Sequence, residues 1–197
     1  SLGLKAEQSS RSGAIPFMVN FGSASAFEVP APVQDATTGL EASAELAAGS
    51  TALNARGRHS EYYDRTPSVL FANPFRAVDG AYSSAASALT RSGAAYGRYS
   101  LAPSNSCDSL GLALSQGGLP LKGRLLATAD ASWSRQDEPL LPYTSNAAIP
   151  GVPDLPATRA GQLVEAHRAD LALSARPLPW LGLDAHAGTA RRANLSP

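Results

Sequence analysis

The sequence predicts an all-β, up-and-down antiparallel transmembrane β-barrel fragment of about seven strands with alternating short turns and long loops. Three observations support this prediction. Apolar and polar residues alternate with a period of two along many segments, which is typical of strands with two different faces. Short connections alternate with long ones. The apolar residues are mostly Ala and Leu, and bulky core-forming residues are scarce: the 197 residues include 37 Ala and 25 Leu but only 7 Val and 2 Ile.

The clearest alternation covers residues 121–136. One face of this segment is apolar and consists of Leu121, Gly123, Leu125, Ala127, Ala129, Ala131 and Trp133. The other face is mostly polar and consists of Lys122, Arg124, Leu126, Thr128, Asp130, Ser132 and Ser134. A helical spacing would mix these two sets, so the pattern predicts a strand.

The same alternation recurs in six further segments. These are residues 2–7, 40–46, 53–58, 109–115, 168–175 and 181–188. With residues 121–136 they make about seven predicted strands. A tilted strand crosses a bilayer in roughly 9 to 11 residues, and residues 121–133 are long enough to do so.

The predicted connections fall into two classes. The short ones contain Gly or Pro, suit hairpin turns, and cover residues 47–50, 116–120 and 176–179. The long ones carry most of the Pro, Tyr and Phe residues and cover residues 9–35, 63–95 and 137–161. Long loops are uncommon in compact soluble domains. Short turns on one side and long loops on the other are expected of strands that cross a membrane.

The alternation also predicts which residues share a face. The lipid-facing candidates are Leu125, Ala127, Ala129, Ala131, Leu171, Leu173, Leu181 and Leu183. The lumen-facing candidates are Lys122, Arg124, Thr128, Asp130, Arg168, Asp170, Asp184 and His186. Aromatic residues lie near the predicted strand ends, where interfacial girdles occur in barrels, and include Tyr62, Tyr63, Tyr96, Trp133 and Tyr143.

Two other folds are compatible with parts of this pattern. An antiparallel sandwich also alternates, with one face buried against a second sheet. A sandwich core of Ala and Leu would be thin, however, because each strand would bury little apolar area. A loosely ordered Ala- and Pro-rich segment is the second alternative, although the high net charge that is typical of disordered chains is absent.

Composition excludes several classes of function. The 16 basic and 16 acidic residues give a formal net charge of zero, which argues against binding of nucleic acid through bulk charge. The single Cys107 excludes an internal disulfide, a Cys-rich zinc site and a Cys-x-x-Cys-His haem attachment. The sequence contains no run of 18 consecutive apolar residues, so it predicts no membrane-spanning helix. The chain starts without Met and begins and ends in mid-pattern, so we expect it to be a piece of a longer protein.

Several segments between the strands resemble one known family. They are Phe27-Glu28-Val29-Pro30-Ala31-Pro32-Val33, Asn73-Pro74-Phe75, Leu101-Ala102-Pro103-Ser104-Asn105, Gln136-Asp137-Glu138-Pro139-Leu140-Leu141-Pro142-Tyr143-Thr144 and Arg176-Pro177-Leu178-Pro179. In this order and spacing they resemble the MtrB/PioB family of decahaem-associated outer-membrane β-barrels. The resemblance covers nearly the whole chain and is weakest over residues 81–95.

The resemblance implies a location and partners. Residues 1–197 would be part of a single barrel domain in the bacterial outer membrane, truncated at both ends. The expected function is a porin-like sheath that holds a periplasmic multihaem c-type cytochrome across this membrane for extracellular electron transfer. The further partners implied are an extracellular multihaem cytochrome and outer-membrane lipid. The alternative function is a general diffusion porin or substrate channel.

No catalytic, cofactor-binding or metal-binding residue is expected in this chain, and haem is expected only on the partner cytochrome. His59, His167 and His186 lie on separate strands outside metal-ligand spacing, so we interpret them as solvated or lumen-facing. His167 and His186 would approach each other across the turn at residues 176–179 only in a suitable register. The acidic residues Asp137 and Glu138 suit a solvated loop shoulder, with a cation site as the alternative. The sequence contains no Gly-x-Ser-x-Gly motif, the nucleophile turn that would indicate an α/β-hydrolase.

Overall fold

We describe residues 1–20, 26–74, 76–79 and 95–196 from a computed structural model. The strands are β1 (Leu2–Asn20), β2 (Ala26–Ala48), β3 (Thr51–Asp64), β4 (Ser68–Ala72), β5 (Tyr96–Ser100), β6 (Asn105–Leu119), β7 (Gly123–Gln136), β8 (Gln162–Leu178) and β9 (Leu181–Asn194). Within these residues, no helix is both long and apolar enough to cross a membrane.

Seven of the strands form one antiparallel sheet in the order β1-β2-β3-β6-β7-β8-β9. Each strand pairs with the next one of the sheet along the chain, so the predicted up-and-down arrangement is confirmed. The sheet is open, with β1 and β9 at its edges. Strands β4 and β5 form a separate hairpin within the connection between β3 and β6.

Three tight connections lie at one end of this sheet. Gly49 adopts a positive φ of 57° in the turn between β2 and β3, a conformation that glycine adopts at little cost. A 3-10 turn over Pro120–Lys122 joins β6 to β7, and a two-residue turn joins β8 to β9. The predicted start of a strand at Leu121 is wrong. Leu121 and Lys122 both have positive φ and belong to the turn, so β7 begins at Gly123.

The predicted long link over residues 9–35 is also wrong. β1 and β2 pair without interruption from Leu2 opposite Ala44 to Asn20 opposite Ala26. Pro16 stands opposite Pro30 in this ladder. Two opposed prolines cannot exchange N–H bonds, so they suit a non-hydrogen-bonded pair, whose N–H positions point away from the partner strand. The prolines that suggested a loop therefore sit in a strand pair.

Beyond the end of β3, β1 and β2 continue as a two-stranded ribbon, which we call the extension (residues 12–20 and 26–34). β3 ends at Asp64, opposite Asp35, so the extension continues for about 30 Å along the strand direction. The β4–β5 hairpin packs against it through two ring pairs. Phe17 and Tyr99 have centroids 4.6 Å apart, and the centroids of Phe27 and Phe71 are 6.2 Å apart.

The buried apolar residues of the described chain lie in the extension, in β4 and directly before β5. They are Ala31, Val69 and Ala95. The seven-stranded sheet, in contrast, leaves its large apolar side chains exposed, and examples are Leu4, Leu46, Leu53, Leu110, Leu112, Leu171, Leu173 and Leu183. A sheet that exposes a leucine face to its surroundings is stable in lipid and not in water.

The two remaining long connections are only partly loops. The predicted link over residues 63–95 begins with the end of β3 and contains β4, and its residues 80–94 lie outside the described part, as does Phe75 of the resembling motif. The predicted link over residues 137–161 is confirmed, because β7 ends at Gln136 and β8 begins at Gln162.

Candidate functional site: the two faces of the sheet

The strand register decides which residues share a face. Leu125 stands opposite Leu173, and Ala127 stands opposite Leu171. Thr128 stands opposite Asp170 on the other side of the sheet. The apolar face carries Leu53, Leu110, Leu112, Leu114, Leu125, Ala127, Ala129, Ala131, Leu171, Leu173, Leu181 and Leu183. The polar face carries Arg56, Arg58, Arg124, Thr128, Asp130, Arg168, Asp170, Asp184, His186 and Arg192.

The two predicted sets of residues are therefore separated as expected. Leu125 and Asp130 lie on opposite faces of β7, and every predicted lipid-facing residue lies on the apolar face. The exception is Lys122, which was predicted to face the lumen. It lies in the 3-10 turn before β7, where the period-two alternation no longer applies.

Charged side chains of both signs pair across the polar face. The Glu7 carboxylate accepts from Lys5 at 2.8 Å and from Arg58 at 3.3 Å, and the second contact passes over β2. Further along the sheet, Arg56 donates to Glu41 at 2.5 Å. These pairs are exposed, so each adds little stability. They do hold charged groups in fixed positions on one surface.

A second group of charges lies on β8 and β9. The Asp170 carboxylate accepts from Arg168 at 2.5 Å, and His186 lies 3.6 Å from its other oxygen. His186 is thus on the polar face, as predicted. Arg192 is exposed and has no acidic partner within the described ranges.

Three glycines make room for the acidic side chains of this face. A Cβ atom at Gly188 would lie 2.6 Å from the Asp170 carboxylate, and a Cβ at Gly111 would lie 3.0 Å from that of Asp130. Gly39 is related in the same way to Glu7, at 3.1 Å from its Cγ. Each carboxylate therefore lies across the neighbouring strand. Sequence reasoning missed this role because it depends on which strands are paired.

The central part of the polar face forms a groove of about 620 Å³. Its floor consists of the small side chains of Ser109, Gly111, Ser132, Ala166 and Ala190. Five arginines and one carboxylate line it, from Arg56, Arg58, Arg168, Arg191, Arg192 and Asp130. Of these, Arg191 occupies a strand position of the apolar face, as does the lining residue His167. Arginine presents several donors in a fixed plane, which suits carboxylate groups of a ligand or partner.

The apolar face changes character near the long-loop end of the sheet. Between residues 169 and 178 of β8, the side chains on this face are apolar. This segment has about the length that a tilted strand needs to cross a bilayer. Two rows beyond Ala169, Trp133 stands between Asp108 and Glu165. An aromatic and charged row directly beyond an apolar band is typical of a membrane boundary.

His59 and His167 belong to this boundary region and not to the polar face. His59 Nδ1 lies 2.7 Å from the Asp108 carboxylate, which also accepts from Arg135 at 2.9 Å. His167 contacts Glu165 and meets the ring of Trp133 edge-on, with centroids 6.1 Å apart. A lumen-facing position is therefore wrong for both histidines.

The suggested approach of His167 to His186 is also absent. His167 stands opposite Arg191, and His186 stands opposite Ala172, so the two histidines lie on opposite faces. Among the described residues, no group of three His, Cys, Asp or Glu side chains is arranged to hold a metal ion. Cys107 is half-buried on the polar-face side of β6, opposite Ser60 and Ser134.

Asp137 and Glu138, directly after β7, make contacts at the base of the loop over residues 137–161. Asp137 accepts from the Arg159 side chain at 2.8 Å and from the Gly161 backbone at 3.1 Å. The hydrogen bond from Arg159 is the main reason that the pKa of Asp137 lies below its usual value. Glu138 accepts from the backbone of Ser104 at 3.2 Å, so both acids hold loops together.

Asp79 joins two long loops. It accepts from the Asn146 side chain and from the Ala95 backbone, both at 2.7 Å. These hydrogen bonds, the one from Asn146 first, lower the pKa of the Asp79 carboxyl group. The long loops are thus connected to each other at the end of the sheet where the extension lies.

Comparison with known proteins identifies a family of this architecture. The sequence model of the family described as outer membrane beta-barrel porin, MtrB/PioB, matches residues 3–190 of the chain. No curated protein matches the chain. The matched range includes all of the short turns and long loops and almost the whole of the seven-stranded sheet.

Proposed function

The chain belongs to the MtrB/PioB family of outer-membrane β-barrel porins and is located in the bacterial outer membrane, and we propose that it forms part of a sheath for a multihaem c-type cytochrome. In this proposal the barrel holds the periplasmic cytochrome across the membrane, and electrons pass through the partner's haems. A porin family has a channel or structural role, and the proposal assigns no catalytic residue, cofactor or metal to this chain.

The observation that carries the proposal is the charged polar face. Its ion pairs include groups of both signs, and its central groove combines a floor of small residues with Arg56, Arg58, Arg168 and Arg192. A protein partner presents carboxylates of acidic side chains and, in a c-type cytochrome, of haem propionates. Fixed guanidinium groups above small residues allow such groups to approach closely, and complementary charges set the orientation of the partner.

The two ends of the sheet support different tasks. The short turns suit the periplasmic side, and the long loops suit the outside, as in other outer-membrane barrels. The linked loops around Asp79 and the extension with its β4–β5 hairpin would then project outward. We include an extracellular multihaem cytochrome as the partner of this surface.

The proposal is tested on the whole protein purified from outer membranes. We expect haem absorbance to co-purify with it in a constant ratio. The substitution Arg192→Glu should lower this ratio about tenfold or more, because reversing a charge in an interface costs several times RT. Arg192 has no acidic partner in the described part of the chain, so its replacement leaves no carboxylate of the described residues unpaired.

The matched control is Arg176→Glu near the short-turn end of β8, which is exposed and does not line the groove. It should leave the haem ratio unchanged. A protein that carries no cytochrome and shows large single-channel conductance in planar bilayers would contradict the sheath and support a diffusion porin or substrate channel instead.

A further inference from the structure

The apolar face contains a second groove, next to the row of Trp133 and on the face opposite to the polar groove. This groove has a volume of about 330 Å³ and lies across β6 to β9. Its floor is formed by Leu110, Leu112, Ala129, Ala131 and Ala169. The other lining residues on this face are Thr189, His167 and Arg191, and Asp130 and Arg168 of the polar face also border the groove. One end of the groove is therefore apolar and the other polar.

The register explains this arrangement. Ala169 stands opposite Ala129 and Thr189, so small side chains leave a depression between the leucines of β6 and the edge strand β9. One row toward the long loops, His167 stands opposite Arg191. The direction from apolar to cationic is thus the direction from the membrane interior to its surface.

The cationic side chains near the polar end of the groove differ in whether they have an acidic partner. His167 contacts Glu165, and Arg135 donates to Asp108 in the neighbouring row. Arg191 is exposed and has no acidic partner in the part of the chain that the structure describes. Its guanidinium group is therefore available to an anion from outside the protein.

A lipid with a phosphate group matches both ends of this groove. An acyl chain would cover the apolar floor, and burial of apolar area favours this contact. A phosphate at the membrane surface would accept from Arg191, since a planar guanidinium binds phosphate through paired hydrogen bonds. Trp133, next to His167, supplies the amphipathic ring that is enriched at this depth.

We propose that this groove binds one lipid A molecule of the outer leaflet, with an acyl chain over Ala129 and Ala169 and a phosphate at Arg191. The side of the membrane follows from the long loops, which face outward in outer-membrane barrels. Lipid A is the phosphorylated glycolipid of that leaflet. The proposal rests on the location in the outer membrane and is independent of any cytochrome.

The test measures lipid retained by the whole protein in its native assembly after exchange into phosphatidylcholine nanodiscs. The probes are bisphosphorylated lipid A, dephosphorylated lipid A and phosphatidylglycerol. We expect retention of bisphosphorylated lipid A alone. Arg191→Glu should lower this retention about tenfold or more, because a hydrogen bond to a charged group is lost and a repulsion is added. Arg191→Lys should retain part of the binding.

Two further variants keep the test decisive. Ala129→Leu fills the groove without changing the charge, and it should also reduce retention. Arg124→Glu changes an exposed arginine of the polar face and should leave retention unchanged. Equal retention of the dephosphorylated probe or of phosphatidylglycerol would overturn the proposal. Full retention in Arg191→Glu would do the same. Loss of cytochrome with lipid binding intact would contradict only the sheath.

Discussion

β1 and β2 pass through two surroundings, and the same face of this pair has opposite chemistry in each. Within the seven-stranded sheet, this face carries Lys5, Glu7 and Glu41. In the extension it carries Phe17 and Ala31, together with Ile15, Val19, Phe27, Val29 and Val33. The register is continuous between the two regions, so the change is one of sequence and not of strand geometry.

The difference shows that a face is apolar only where something apolar covers it. In the extension, the β4–β5 hairpin covers the face, and Ala31 and Val69 are buried there. In the sheet, the opposite face is apolar because it meets lipid, and the polar face stays open to charged groups. The two regions thus obtain apolar burial from different partners, protein in one and lipid in the other.

We expect the largest loss of stability from a charge placed on the lipid-facing side of the sheet. Leu171 lies within the apolar band on β8, and the substitution Leu171→Arg places a charge in hydrocarbon. We expect a loss of about 2–4 kcal/mol in the free energy of unfolding, measured by urea titration in lipid vesicles. The control Ala172→Arg lies one residue away on the polar face and should cost much less. Equal losses would contradict the assignment of the faces.

A smaller effect is expected where protein covers the extension. Val69 is 7% exposed, and Val69→Asn would bury an amide beneath the extension. The expected cost is about 1–3 kcal/mol, confined to docking of the β4–β5 hairpin. Limited proteolysis between β3 and β6 should become faster. The folded barrel, loaded on a denaturing gel without heating, should migrate as the unmodified protein does. The neighbour Leu70 is 52% exposed, so Leu70→Asn should leave cleavage as in the unmodified protein.

The smallest effect concerns the contacts of Asp137 with Arg159 and Gly161 at the base of the loop over residues 137–161. The hydrogen bond from Arg159 lowers the pKa of Asp137, so these contacts are complete above the ordinary carboxyl pKa. They are lost as the pH falls through the lowered pKa of the folded state. Protease cleavage within residues 137–161 should therefore accelerate on acidification. Asp137→Asn should cleave quickly at every pH, and a retained acid response in this variant would assign the effect to another group.

Much of the sheet can be predicted from the sequence because period-two alternation is a local property of each strand. All seven predicted strands are present, although each predicted segment other than residues 121–136 is shorter than the observed strand. The alternation fades where strands leave the apolar band, so their ends are not visible in the pattern. Residues 13–20 show the limit: almost all are apolar, and three nearby prolines suggest a loop, yet they form half of the extension.

The candidate site was less accessible from the sequence. Arg56, Arg168 and Arg192 are far apart in the chain, and only the register of β3, β6, β7, β8 and β9 brings them to one groove. The positions of the glycines beside the carboxylates, and of His59 and His167 in the boundary region of the apolar face, likewise depend on the strand register. A sequence contains no direct information on which residue of one strand stands opposite which residue of another.

The all-β class, the order of the seven sheet strands and the separation of an apolar from a polar face can be derived from the chain alone, because they depend on neighbours in sequence. The three-dimensional structure was needed to show that residues 9–35 extend a strand pair, that Lys122 belongs to a turn, and that Arg191 lies at the end of an apolar groove. These features depend on hydrogen-bonded pairing between distant strands and on what covers each face. Pairing and cover are set by the whole assembly and its membrane, not by any local segment.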